Sequence, residues 1–206
     1  MTSFPNPLIY LASASPRRSA LLTQIGIEHR VAPVDIDERL LPAETPAQYV
    51  VRLAIAKAET LWSHLKDSER HPVLGSDTTV ALGNDVLGKP ADQRDAADML
   101  QRLSGRTHQV YTAVAIRHAR GCDSRLSISD VTIRELSAAE IRDYWHTGEP
   151  ADKAGGYAIQ GLAALFIERI AGSYSGIVGL PLYETGELLS MIGSMIGSTA
   201  MPERRG

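Results

Sequence analysis

The chain has 206 residues, 44% hydrophobic and 22% charged, with a formal net charge of −3. This composition excludes a disordered chain and suits a folded domain with a substantial core. It also argues against a protein that coats nucleic acid, because such a protein needs a broad basic surface to displace counterions.

Residues 8–12 are a short apolar run and predict a strand. Ser15 and Pro16 then read as an N-cap and a first-turn proline, opening a helix through Leu21, Leu22 and Ile25 that Gly26 stops. Residues 30–34 predict a second strand, followed by the acidic segment 35–38. Thr45 and Pro46 repeat the cap signal for a helix to about Leu65, with an apolar stripe at Val50, Leu53, Ala54 and Leu61. Residues 72–82 predict a strand that holds a single acid, Asp77. A turn at Gly83, Asn84 and Asp85 makes it one arm of a hairpin, and the return arm ends at Gly88, Lys89 and Pro90. Residues 92–103 predict a helix closed by Gly105.

Alternation over residues 110–116 predicts a strand, and residues 124–134 a second one with a bulge expected near Asp130. Ser137 and Glu140 form a capping box for a helix ending at Gly148. Residues 155–170 read as a glycine-interrupted strand region, and residues 181–192 as a last helix. Strands and helices interleave and the hairpins demand antiparallel pairs, so the expected fold is a mixed α/β sheet flanked by helices. Residues 1–193 are expected to form one domain and residues 194–206 a flexible tail. Cys122 is the only cysteine, which allows no internal disulfide and no zinc cluster, and fits a reducing, cytoplasmic setting. Residues 1–18 read as no signal peptide, and no window approaches the roughly 18 apolar residues of a membrane span.

Ser13, Ser15, Arg17 and Arg18 mark the first candidate site. A strand ends there, two hydroxyls follow, and two arginines occupy the first turn of a helix. A helix N-terminus already carries partial positive charge, so arginines fit best if an anion such as phosphate sits among them. A surface arginine pair on a capped helix is the plainer reading. Lys57 falls on the apolar stripe of its helix, so either it snorkels outward or it lines a cleft and meets an anion. Asp77 lies in an apolar strand, where its charge is costly unless a metal, a lysine or backbone donors compensate. Asp35, Asp37 or Glu38 could add an oxygen ligand for a hard cation. The hairpin brings Lys89 back toward the level of Asp77. Gln160 stands among glycines and small residues that let a flat ligand approach the backbone.

In order and spacing, these segments resemble the Maf family of nucleotide pyrophosphatases. The resemblance runs from about Leu8 to Ile192. It is carried by LASASPRR at residues 11–18, the Glu38 region, Arg52 to Lys57, Gly75-Ser76-Asp77-Thr78, Gly88-Lys89-Pro90, Leu103-Ser104-Gly105 and residues 155–161. It implies an elongated α/β fold with a central cleft between two lobes, similar to inosine triphosphate pyrophosphatases. It implies cleavage of dTTP and UTP between the α- and β-phosphates, with Mg²⁺ or Mn²⁺ as cofactor and a homodimer as a common assembly. By the same resemblance Asp77 is the proton acceptor and Glu38 a cleft position; the chemistry of the two carboxylates makes them the expected ligands of the metal. Arg17, Thr78 and Gln160 set base specificity, and Ser13, Arg18, Lys57 and Lys89 are further cleft positions. The alternatives are a 7-methyl-GTP pyrophosphatase, whose branch carries an acid in place of Gln160, and a non-catalytic nucleotide-binding regulator of septum formation.

Overall fold

The computed structural model describes residues 8–199. Seven strands build one mixed sheet. β1 (Ile9–Leu11) runs parallel to β2 (His29–Val31) on one side and to the start of β3 (Val73–Leu82) on the other. β3 pairs antiparallel with β5 (Thr107–His118), β5 with β6 (Gly121–Ile133), and β6 with β7 (Ile167–Ala171). β4 (Asp85–Leu87) folds back on the far end of β3. The order is β2-β1-β3-β5-β6-β7, with β4 attached to β3.

The pairing of β3 creates the cleft. β5 occupies one edge of β3 from Val73 to Ala81, so β1 and β4 must share the other. β1 takes Val73 and Leu74, and β4 takes Val80 to Leu82. Residues 75–79 lie between them with no strand on that edge.

Helices cover both faces. α1 (Pro16–Gln24) and α6 (Leu182–Thr199) pack Leu22, Leu188 and Leu189 against Ile9, Leu11, Leu74 and Ile116. α2 (Pro46–His64) lies across the opposite face. It starts in a complete capping box between Thr45 and Gln48 and lays Val50 and Ala54 against Ala113 and Ala115. Gly75 of β3 makes this packing unusually close: a Cβ there would stand 2.2 Å from the Ala54 carbonyl oxygen and 2.9 Å from the Ala58 nitrogen. A second core gathers α3 (Gln93–Leu103) and α4 (Ala138–His146) with the far ends of β3, β5 and β6, through Val80, Leu100, Leu103, Val131, Ile133 and Tyr144. α5 (Tyr174–Val178) is a short helix before α6.

Three expectations are corrected. β5 and β6 pair without interruption through Asp130, and the irregularity lies instead between Thr132 and Ile133, on the side facing β7. Residues 155–166 are not strand. Gly155 and Gly156 adopt left-handed φ values of 70° and 68°, which break an extended run, and 3₁₀ turns follow until β7 begins. The last helix continues past Ile192 to Thr199, and residues 200–206 of the expected tail lie outside the described residues. No described helix is long and apolar enough to cross a membrane.

The second core contains a titrating group. His108 of β5 is 2% exposed, and its Nε2 lies 2.8 Å from the Tyr157 hydroxyl while Nδ1 has no partner among the described residues. Burial lowers its pKa to about 4, against a smaller opposing pull from Asp130. An unfolded histidine titrates near 6.5. The fold therefore favours the neutral ring. The stability His108 contributes is complete above about pH 6.5 and is lost as pH falls toward 4, by about 3 kcal/mol in all. Urea unfolding between pH 7 and pH 4 should show this loss, and His108→Gln should remove most of the His108 share of the slope. An identical slope in both proteins would assign the acid sensitivity elsewhere.

Candidate functional site

The cleft holds about 860 Å³ and opens at the unpaired edge of β3. Neighbouring strand residues point to opposite faces of a sheet. At an open edge both faces reach the same space, so Asp77 enters from the α2 side and Thr78 from the α1 side.

On the α2 side, Lys57 stands between two carboxylates. Its Nζ donates to Asp77 Oδ1 at 2.7 Å and meets Glu38 Oε1 at 2.6 Å. Lys57 and Asp77 are 8% and 7% exposed, so this charge chain sits at the bottom of the cleft. The glycine contact at residue 75 is what allows it: with the backbones of α2 and β3 touching, a lysine between Ala54 and Ala58 is in reach of a carboxylate two residues beyond Gly75. Burial raises the Asp77 pKa above the ordinary carboxylate range, and the Lys57 and Arg18 charges pull it back in part.

Glu38 comes from the acidic loop, and α2 ties that loop down. The Tyr49 hydroxyl donates to the Glu38 carbonyl oxygen at 2.9 Å. Arg52 grips Glu44 with two bonds of 2.6 and 2.8 Å and donates to the Arg39 carbonyl oxygen. Asp37 is turned away into an exposed pair with Arg39 at 2.6 Å, and Asp35 is exposed, so of the three acids only Glu38 lines the cleft.

On the α1 side, Arg18 is fixed in place. Its Nε donates to the Gly179 carbonyl oxygen at 2.8 Å, and its two terminal nitrogens donate to Ser13 Oγ at 3.0 Å and Thr78 Oγ1 at 3.3 Å. Thr78 Oγ1 also lies 3.1 Å from Thr112 Oγ1, whose own proton goes to the Gly176 carbonyl oxygen at 2.8 Å. Ser15 is the N-cap residue of α1, but its hydroxyl caps no helix N–H; the bond in this turn runs instead from the Ser15 nitrogen to Ser13 Oγ. The first turn of α1 carries no acid to offset its dipole.

Ten of the residues singled out from the sequence line this cleft, Ser13, Ser15, Arg17, Arg18, Glu38, Lys57, Asp77, Thr78, Lys89 and Gln160, whereas Asp35 and Asp37 do not. Lys57, not Lys89, is the ion partner of Asp77. The β3–β4 pairing ends at Leu87, and Lys89 continues as an exposed residue at the cleft wall. Sequence reasoning missed Tyr49, Asp152 and Lys153. Lys153 bonds Asp152 at the cleft wall, and the glycine pair that follows it was the available signal. The lining carries five cations, Arg17, Arg18, Lys57, Lys89 and Lys153, against three carboxylates, Glu38, Asp77 and Asp152. Such a balance suits a ligand with several negative charges.

The Maf-like protein family model matches residues 8–192 of this chain. The chain belongs to the Maf family. Among curated Maf relatives, the dTTP/UTP pyrophosphatase of Pseudoalteromonas atlantica is 53% identical over 89% of this chain and 96% of its own. The dTTP/UTP pyrophosphatase of Hahella chejuensis is 52% identical over 92% and 94%. Among solved structures, the Staphylococcus aureus Ham1 protein aligns with a TM-score of 0.44 and 15% identity over 61% of this chain and 71% of that one.

In this Maf chain the Gly75 contact is directly testable. Gly75→Ala must push α2 away from β3, at a cost of about 3 kcal/mol, the upper end for an overpacked core. It should also part Lys57 from Asp77, so denaturant unfolding and turnover should both suffer. A variant with full stability and full activity would show that the helix is not held by this contact.

Proposed function

We propose that this protein hydrolyses dTTP and UTP to the nucleoside monophosphate and pyrophosphate. The observation that carries the reading is the buried Lys57 bridge between Asp77 and Glu38, facing a fixed Arg18 across a cationic cleft. The activity named for its half-identical relatives supports the same choice.

Asp77 acts on the water. Its burial-raised basicity lets the carboxylate take the proton as the oxygen bonds to the α-phosphorus. The bond from that phosphorus to the bridging oxygen breaks, and pyrophosphate leaves. Arg18 is oriented by three protein bonds before substrate arrives, so it stabilises the transferred charge without reorganisation. Arg17, Lys57 and Lys89 share the polyphosphate, and Ser13 and Ser15 line its end of the cleft. Glu38 and Asp77 suit a divalent cation, Mg²⁺ or Mn²⁺. A hard cation of this kind takes one or two carboxylates and completes its shell with phosphate and water, and the two groups already converge on one positive charge. When bound, that cation would neutralise the polyphosphate.

Gln160, with Arg17 and Thr78, reads the base. Uracil and thymine offer an N3–H donor flanked by carbonyl acceptors, and a primary amide answers both kinds of group. A carboxylate at this position would face a carbonyl oxygen and favour a purine edge with adjacent donors. The reading also takes the cytoplasm as the compartment, a second copy of the chain as the partner, and the limiting of nucleotide misincorporation as the role.

A nucleotide panel with Mg²⁺ or Mn²⁺ tests this. UTP and dTTP should release pyrophosphate and monophosphate, ahead of 7-methyl-GTP. Asp77→Asn should lower turnover by about 10² to 10⁴ while nucleotide still binds. Stepwise release of single phosphates, or an active Asp77→Asn, would defeat the mechanism.

A further inference from the structure

Gln160 sits at the third position of a four-residue turn, Ala158 to Gly161, closed by the Gly161 nitrogen donating to the Ala158 carbonyl oxygen at 3.0 Å. The side chain is exposed at the cleft, so packing does not fix its direction. The backbone on both sides of it is fixed instead. Before the turn, the Ala158 nitrogen donates to the Tyr144 hydroxyl at 3.1 Å. That hydroxyl donates to Glu149 Oε1 at 2.5 Å. After the turn, the Leu162 nitrogen donates to Glu149 Oε2 at 2.9 Å and the Ala163 nitrogen to Oε1 at 3.3 Å. One carboxylate thus reaches both ends of the segment that carries Gln160.

The parts fit that role. Tyr144 is 3% exposed and stacks edge-on against Phe166 with centroids 5.2 Å apart, so its hydroxyl has a fixed position. Burial first, and its bond to Glu149 next, push the Tyr144 phenol up, which keeps the proton there for donation. Gly161 admits the carboxylate: a Cβ at this position would lie 2.0 Å from Glu149 Oε2. A residue that merely capped the following turn would need neither Tyr144 nor the bond back to Ala158.

We propose that Glu149, directly and through Tyr144, is a positioning residue that holds the Ala158-to-Gly161 turn and so sets how Gln160 meets the base. The inference rests on the reading of Gln160 as the base-contacting residue. None of the groups that hold the turn bonds to Asp77, Lys57, Glu38 or Arg18, so the turn that carries Gln160 is held separately from these phosphate-side groups.

The test compares two ligands that differ in whether they carry a base. Glu149→Ala should raise KM for UTP and dTTP about 10-fold, the scale of one lost hydrogen bond to a charged group. The inhibition constant of pyrophosphate, which meets only the phosphate half, should stay within about twofold. Tyr144→Phe keeps the ring and should show a smaller rise of the same kind. Glu149→Gln retains an acceptor and should recover part of the loss. Gly161→Ala expels the carboxylate, so combining it with Glu149→Ala should add little beyond either alone. Amide exchange at Ala158 and Leu162 should quicken in Glu149→Ala. Parallel rises in KM and in the pyrophosphate constant would mark a general structural role and overturn the proposal. Unchanged exchange in a folded variant would overturn it as well. Absence of wild-type turnover on UTP and dTTP would defeat the substrate reading and the base-positioning role with it, while exchange would still decide whether Glu149 holds the turn.

Discussion

The structure depends on the sharing of one strand edge. β3 is long enough to take β1 at its start and β4 at its end, and neither partner reaches its middle. Five residues there have a strand on one side only. An unpaired interior edge is normally a liability, because its polar groups want a partner. Here it is where the cleft forms, and it gives two opposed faces of one sheet access to one ligand. The Asp77 carboxylate arrives from the face under α2 and the Arg18 guanidinium from the face under α1, so these two opposite charges flank the cleft from opposite sides without bonding each other.

The charges are kept in place by unlike means. Arg18 is held by neutral acceptors, a carbonyl oxygen and two hydroxyls, which leave its charge available. Lys57 is held by two anions: its pairing with the buried Asp77 offsets the desolvation that each would suffer alone, and the half-exposed Glu38 adds a second anion at the rim. That chain exists because small residues, Gly75, Ala54 and Ala58, let a helix touch a strand. A larger residue at any of these points would lengthen the distance Lys57 must span.

Much of this was legible in the sequence because it rests on local rules. The cap and proline at Thr45 and Pro46 and the capping box at Ser137 marked helix starts, and the alternation near Val110 marked a central strand. A lysine on an apolar stripe and an acid in an apolar strand each announced an unmet electrostatic need, although nothing local said that they would meet. Lys89 was expected nearer Asp77 because hairpin register can be extended on paper, whereas the actual ladder stops at Leu87. The region after Gly155 was misread because its conformation follows from two left-handed glycines and from Glu149, a tertiary partner that no periodicity reveals. Tyr49 and Arg52 were likewise invisible as a pair of fastenings, since their partners are mostly backbone carbonyls of a loop without regular structure.

The turn that carries Gln160 is held entirely through backbone nitrogens, at Ala158, Leu162 and Ala163. None of those bonds involves the side chain at position 160. On the proposed reading of Gln160, that side chain can be exchanged as a key is exchanged in an unchanged lock housing: the scaffold, the glycine and the carboxylate stay, and only the pattern offered to the base is rewritten. A protein of this build can diversify its diet of nucleotides by point substitution, without having to invent a new fold or a new way of breaking the bond.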